Sequence, residues 1–334
     1  MTLPVSQNAK VYATDYGSLA TQINTELTRR GGGYFLPTDY SGKITAADYN
    51  RMKTTLSTAN TYPFSTGLPD VTIGTLVSAS TFNNLLSAIN EAQTHIFTTQ
   101  GAANTLTLNN AYFSNLGWNG TSKLVANVNI TGTIGSNSIS NYSLTLTGSY
   151  PNGSIINIIN HSGNYIVGAG GTGGIATDSG FNWGGGTSGS NGGPALFITG
   201  GTGATWNITN YGTIAGGGGG GGAGHGIRAH TGDGGFYGGA GGGGAGYNNG
   251  LGGEGNSNVS YAGTNGTLTT GGAGGGEWAD GNGNEGAAGN NGGDLGQPGT
   301  SFGNTNVSGI AGAAITGSSN ASWVVNGTII GTIN

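Results

Sequence analysis

Cysteine is absent from the 334-residue chain, so neither a disulfide framework nor a thiolate metal site can hold it. Cations are nearly missing from most of its length. Of eight Lys and Arg, seven lie at or before Lys123 and only Arg228 follows, against seven acids in the same later stretch, a balance of −6 there. Nucleic-acid affinity rests on counterion release by clustered cations, and this stretch has none to offer. No apolar run approaches the length of a membrane span, and residues 1–10 lack an apolar core long enough for a secretory signal.

Catalytic signatures are missing too. Gly-x-Gly-x-x-Gly recurs, as chance demands where glycine is this dense, but no Gly-Lys-Ser/Thr follows to cradle a phosphate. Gly281–Glu285 does not keep the register of a calcium-binding nonapeptide repeat. The clustered acids Asp233, Glu277, Asp280 and Glu285 could supply a carboxylate pair, yet loop acids in such a composition need no catalytic explanation. A non-enzymatic protein without metal or cofactor is expected.

What the chain does have is glycine: 75 residues, 60 of them in 167–334. Ahead of that region stand three segments in a 33-residue register, with aromatics Tyr16, Tyr49 and Phe82, aliphatics Leu19, Met52 and Leu85, and then Ile23, Leu56 and Ile89. Apolar residues three and seven positions apart form one helical stripe, so three short amphipathic helices are expected. Thr45 with Asp48, and Ser78 or Ser80, are placed to cap their first turns. From Asn104 onward period-two alternation takes over, as in Leu124–Thr131 and Tyr142–Thr147, which is strand patterning. A short phrase recurs at Gly132–Gly135, Gly212–Gly216 and Gly327–Gly331, and it reads as strands bracketing the richest glycine segment.

Gly216–Gly222 is seven consecutive glycines. A flexible linker is one reading of it. Similar blocks recur at Gly170–Gly174, Gly234–Gly246 and Gly271–Gly276, which favours ordered three-residue-per-turn polyproline-II-type rods whose outward N–H and C=O groups pair with neighbouring rods. Seven residues make a rod of about 22 Å, placed at the centre of a sheaf. Alanines interposed in Gly238–Gly246 are expected at outer positions, facing solvent.

The pattern of Ile155–Gly174, Gly193–Ile198, Trp206–Gly222 and Trp323–Asn334 resembles the glycine-rich receptor-recognition proteins at the tail-fibre tips of T-even-like and related bacteriophages. The resemblance implies a sandwich of polyglycine-II helices whose connecting loops contact the bacterial surface. The fold expected is multidomain. Residues 1–100 form a small, mainly α attachment domain with three helical repeats, 101–166 a short β-strand neck, and 167–334 a polyglycine-II sandwich flanked by β-strands.

On such a scaffold the segments between rods are loops, and loops carry function. They are Ile175–Asn191, His225–Asp233, Tyr247–Thr270, Glu277–Ala288 and Asp294–Phe302. The candidate receptor-binding residues are Phe181, Trp183, His225, Arg228, His230, Asp233, Phe236, Tyr237, Tyr247, Tyr261, Trp278, Asp280 and Phe302. Exposed aromatics offer large contact area at small entropic cost. Packing against rod ends is the competing role for about half of these aromatics, since aromatic rings are more often buried than functional.

The function expected is a bacteriophage receptor-binding protein on a tail or tail fibre. Its partners are other tail or fibre proteins, through residues 1–100, and a host surface protein or polysaccharide, through the C-terminal loops. The oligomeric state is open, with a homotrimer as one candidate. A structural virion subunit without receptor contact and an ice-binding protein are the alternatives.

Overall fold

The computed structural model describes residues 12–29, 36, 44–57, 68–73, 77–90, 94–120, 122–177, 185–225, 238–255, 261–276, 278–279, 285–301 and 306–334. The chain divides into two compact units. One runs to Ile96 and adds Phe113–Ala126 and Tyr150–Ile155; the other holds Phe97–Tyr112, Asn127–Ser149 and Ile156–Asn334.

In the first unit, helices α1 (Ala13–Arg29), α2 (Ala46–Ser57) and α3 (Ala79–Asn90) bury Tyr16, Leu19, Ile23, Tyr49, Met52, Phe82 and Leu85 in a single core. These are the stripe residues of the 33-residue register; the side chains of Leu56 and Ile89 lie outside the described residues. Thr45 and Asp48 close a reciprocal cap. The Thr45 N–H donates to Asp48 Oδ2 at 2.8 Å and the Asp48 N–H to Thr45 Oγ1 at 3.3 Å, satisfying two first-turn donors. Asp15 Oδ2 takes the Tyr12 N–H in the same way. Tyr150 stacks on Trp118 and meets the edge of Phe113, and this burial pushes its phenol well above its ordinary value.

Parallel strands wind in successive coils. The first coil is β1 (Thr94–Gln100), β2 (Ala103–Asn104) and β3 (Leu106–Leu108), followed by the short helix α4 (Asn110–Asn115). The second is β4 (Leu124–Ile130), β5 (Ile134–Gly135) and β6 (Leu144–Leu146), and the third β7 (Ser154–Asn160), β8 (Tyr165–Val167) and β9 (Leu196–Ile198). The fourth holds β10 (Ala204–Asn210) and β11 (Thr213–Ala215). A long excursion with the hairpin β12 (Trp278–Ala279) and β13 (Glu285–Gly286) then precedes its third strand, β14 (Ile315–Thr316). The last coil is β15 (Ala321–Val325) and β16 (Thr328–Ile330).

Each of the first four coils adds one strand to each of three sheets and the last coil one to each of two, in the orders β1-β4-β7-β10-β15, β16-β11-β8-β5-β2 and β14-β9-β6-β3. The arrangement is a three-faced parallel β-solenoid. Alternation places Leu124, Ala126, Val128 and Ile130 inside, as it does Trp206 and Ile208. The recurring Gly-Thr-Ile phrase is one rung of this solenoid, with Ile134 beside Ile166, Ile166 beside Ile214 and Ile214 beside Ile329. The strands expected to bracket the glycine segment are thus rungs of the same sheets as those before residue 166. The same sheets continue to Ile330, and the glycine segments leave and re-enter them.

At the corner between β2 and β3, Thr105 holds a left-handed φ of 57°. A β-branched residue pays roughly 1–2 kcal/mol for that conformation, and the Thr105 N–H, donated to Gly135 O at 2.7 Å, keeps it there. Thr105→Gly is expected to raise stability by about 0.5–1 kcal/mol after glycine's own entropic cost. The shift in the denaturant midpoint checks it, and an unchanged or lower midpoint would count against strain at this corner.

The glycine-rich segments belong to neither helix nor strand, yet they are hydrogen-bonded throughout. Stretches 168–176, 187–195, 216–224, 238–246, 250–254, 261–267, 271–276, 287–293 and 306–314 lie side by side. Their partners recur every third residue. The N–H groups of Gly218, Gly221 and Gly224 donate to Ala245, Gly242 and Gly239, each at 2.8 Å. Those of Gly217, Gly220 and Ala223 donate to Gly193, Ser190 and Thr187 at 2.8–3.1 Å. Carbonyls of the same stretch receive Gly171 and Gly174, Asn290 and Gly293, and Asn306, Gly309 and Gly312. Stretch 216–224 is thus wholly buried and surrounded by other stretches.

Edge stretches are closed by a recurrent clasp. Ser190 donates its N–H to Thr172 O and accepts the Thr172 N–H on its own Oγ. Thr187 does the same with Ile175, Thr264 with Ala273, Thr267 with Thr270 and Thr300 with Asn291. A three-residue turn aims the clasping residue's own carbonyl elsewhere, so a hydroxyl returns the second bond. Thr264→Val keeps the shape and removes the acceptor for the Ala273 N–H, now held at 2.7 Å. The expected loss is about 0.5–1.5 kcal/mol, with faster exchange confined to the Ala273 amide as the specific readout.

The alanines differ from expectation: Ala240 and Ala245 are fully buried. Ala245 belongs to an apolar cluster with Val167, Ala215 and Leu295, joined by Tyr165, Tyr247, Leu268 and Ile330. A methyl group is wanted there because glycine backbone gives way to side-chain packing against the solenoid.

Candidate functional site

Each stretch that leaves the solenoid crosses the array and comes out at the opposite end. Gly168 follows β8 and Gly216 follows β11, while stretches 187–195 and 306–314 return into β9 and β14. That is the near end. Its other connections are short turns, with the Asn249 N–H on Gly246 O, Thr267 against Thr270, and the Gln297 N–H on Asp294 O.

One hydrogen-bonded layer defines the far end. Ala176 donates to Glu254 O, Thr187 to Ile175 O, Ala223 to Thr187 O and Gly224 to Gly239 O. Gly239 donates to Ala287 O, Ala240 to Tyr261 O, Gly275 to Ala240 O and Asn306 to Ala223 O, all at 2.7–3.1 Å. Longer connections leave this layer after Thr177, His225, Gly255 and Gly276, and a fifth, after Ser301, enters it at Asn306. Antiparallel pairing of successive stretches is what gathers them on one side.

Among the sequence candidates, the described ones separate by end. Tyr261 opens stretch 261–267 in the far layer, and its side chain is 58% exposed beside the open face of Gly276. His225 ends the central stretch, half-buried, its carbonyl receiving the Ala287 N–H at 3.1 Å. Trp278 lies in the antiparallel hairpin that departs from the far layer, opposite Gly286. Tyr247 sits at the other end, half-buried in the cluster against the solenoid. Its ring fills the space that a Cβ on Gly135 would need, so it takes the packing role that was the alternative for such aromatics. Phe181, Trp183, Arg228, His230, Asp233, Phe236, Tyr237, Asp280 and Phe302 lie outside the described residues.

Several of the expected loops are partly array, among them Glu277–Ala288 through residues 287–288 and Asp294–Phe302 through residues 297–300. Residues 187–191 of Ile175–Asn191, and 250–254 and 261–267 of Tyr247–Thr270, are hydrogen-bonded stretches. They carry enough Ser, Thr and Asn to read as loop, but those side chains serve as clasps and edge caps. Exposed apolar groups that the sequence reading did not single out stand near the far layer: Ile175 at 45% and Val307 at 73%. Both follow immediately from or into a connection, which is the signal that could have found them. No group of three metal-ligating side chains occurs among the described residues.

A family model described as phage tail fibre adhesin Gp38 matches residues 91–334. No curated protein matches the chain. Among solved structures, the gp37-gp38 adhesin tip complex of the bacteriophage S16 long tail fiber is similar at 27% identity, with a TM-score of 0.47, over 72% of this chain and 82% of that one.

Proposed function

The chain belongs to the phage tail fibre adhesin Gp38 family, and from that membership we propose that its receptor contacts are made by the connections leaving the far layer of the glycine array. Its place is the virion tail fibre, and its work is receptor binding. The array acts as a polyglycine-II scaffold. The three-residue recurrence of partners around Gly216–Gly224 supports that reading, because three residues per turn is the period of such a rod.

The observation that carries the proposal is the gathering of all five longer connections on the side away from the solenoid. By sequence these connections hold most of the side chains able to grip a target, among them Phe181, Trp183, Arg228, Phe236, Tyr237, Trp278 and Phe302. Tyr261 and Val307 are exposed beside them. Binding here makes and breaks no covalent bond and needs no cofactor. Residues 1–100, with their helical repeats, serve attachment to another tail or fibre protein.

Competition for host cells tests the reading. Purified chain in excess is expected to block adsorption of the parent phage. Replacing residues 226–237 with a Gly-Ser segment of equal length should weaken that block at least tenfold, leaving the exchange protection of Gly216–Gly222 intact. Arg228→Ala and Tyr261→Ala should each weaken it severalfold. Full competition by chains altered in every one of the five connections would overturn the proposal.

A further inference from the structure

A groove of about 540 Å³ runs along the side of the array, between stretches 271–276 and 287–293 and residues 297–300 that follow the latter. Its size falls within the range of small-ligand clefts, about 300–1,000 Å³. Gly272, Gly292 and Gly293 line it with backbone and no side chain. The rim is polar. Asn291, Asp294 and Gln297 are exposed along it.

Rim groups divide their hydrogen-bonding capacity. Asp294 Oδ1 accepts the Gly271 N–H and Asn291 Oδ1 the Gly274 N–H, each at 2.9 Å. These bonds fix both side chains in place and leave the second carboxylate oxygen of Asp294 and the amide NH₂ of Asn291 as acceptor and donor. Gln297 adds a primary amide, which is both. Among the described residues that line it the one charged group is the Asp294 carboxylate, which disfavours phosphate and acidic sugars. Fixed donors and acceptors beside a glycine lining free of side chains suit a flat ligand with hydroxyls at its edge.

We propose that this groove is a binding site for a neutral, hydroxyl-rich sugar, separate from the receptor contacts at the far layer. An adhesin that meets its receptor end-on would carry it as a second, lateral hold on surface glycan.

Saturation-transfer NMR on the full chain, with methyl glycosides of glucose, galactose, mannose and N-acetylglucosamine as probes, tests it. At least one glycoside is expected to bind saturably. Gln297→Ala and Asp294→Asn should each weaken that binding at least fivefold, and Ala273→Leu, which fills the groove from an exposed position, should abolish it. Thermal midpoints equal to the parent's show that the variants fold. Absence of saturable binding by all four probes, binding that survives Ala273→Leu, or stronger binding of sialic acid than of any neutral glycoside would each overturn the assignment.

Discussion

Gly220→Ala is expected to abolish the folded glycine array. A Cβ built at that position lies 1.9 Å from Thr172 O, 2.4 Å from Thr172 C and 3.0 Å from Gly173 N. All three are backbone atoms of an adjacent stretch, so no rotamer change relieves the clash and the stretches must separate. Separation breaks the hydrogen bonds that Gly220 exchanges with Ser190 and Gly309, and the recurrent partners on either side follow. The loss should exceed about 5 kcal/mol, the range reached only by a few mechanisms, overpacking among them. Amide exchange across 216–224 in the variant, compared with the parent, reads it directly. Gly276→Ala is the control, because a Cβ there meets only the Tyr261 ring, at 3.8 Å. That change should be neutral or gain about 0.4–1 kcal/mol by restricting the unfolded chain. Equal behaviour of the two variants would mean that the array is not close-packed.

The second large effect belongs to the solenoid. Trp206 is 1% exposed on the inner row of β10, and its Nε1 donates to Thr202 Oγ1 at 3.2 Å. Trp206→Ala leaves a cavity beside Ile208 on that row and removes one partner of the Thr202 hydroxyl, which keeps its bond to Ala204 O. A loss of about 3–5 kcal/mol is expected, measured as the change in the unfolding midpoint of the solenoid. Trp206→Phe should recover more than half of it. A loss under 1 kcal/mol for the alanine variant would place the indole outside a packed core.

Much of this architecture can be read in the residues. Period-two alternation in Leu124–Ile130 matches its inward and outward faces, and the aromatic register Tyr16, Tyr49, Phe82 enters one helical core. The solenoid itself was hidden. Its Gly-Thr-Ile rungs are brought into register by coiling, but the glycine excursions separate them in sequence by irregular distances. A repeat search sees fragments where the fold has a ladder.

The candidate site was legible in kind more than in position. Glycine composition leads one to look at the intervening segments, and Tyr261 and Trp278 are found at the far layer or departing from it. Tyr247 shows what composition cannot supply. Every crossing of the array moves the chain to the other end, so the side on which a residue emerges depends on how many crossings precede it. Stretches 250–254 and 261–267 contain Leu, Glu, Tyr, Thr and Asn and do not advertise themselves as crossings. Miscounting them places an aromatic at the other end of the array from where it emerges.

The far layer also governs how the molecule can change over time. The stretches on which each connection starts and finishes are spaced mainly by backbone hydrogen bonds, with a few side-chain clasps such as Thr187 on Ile175, so the scaffold asks little of what spans the gap. Doubling the length of such a span costs only about 0.6 kcal/mol in closure entropy. Insertions, deletions and wholesale exchange at that end can therefore accumulate without refolding the rest. On the proposed reading, a phage facing a host that alters its surface can change its grip in this layer without disturbing the solenoid ladder.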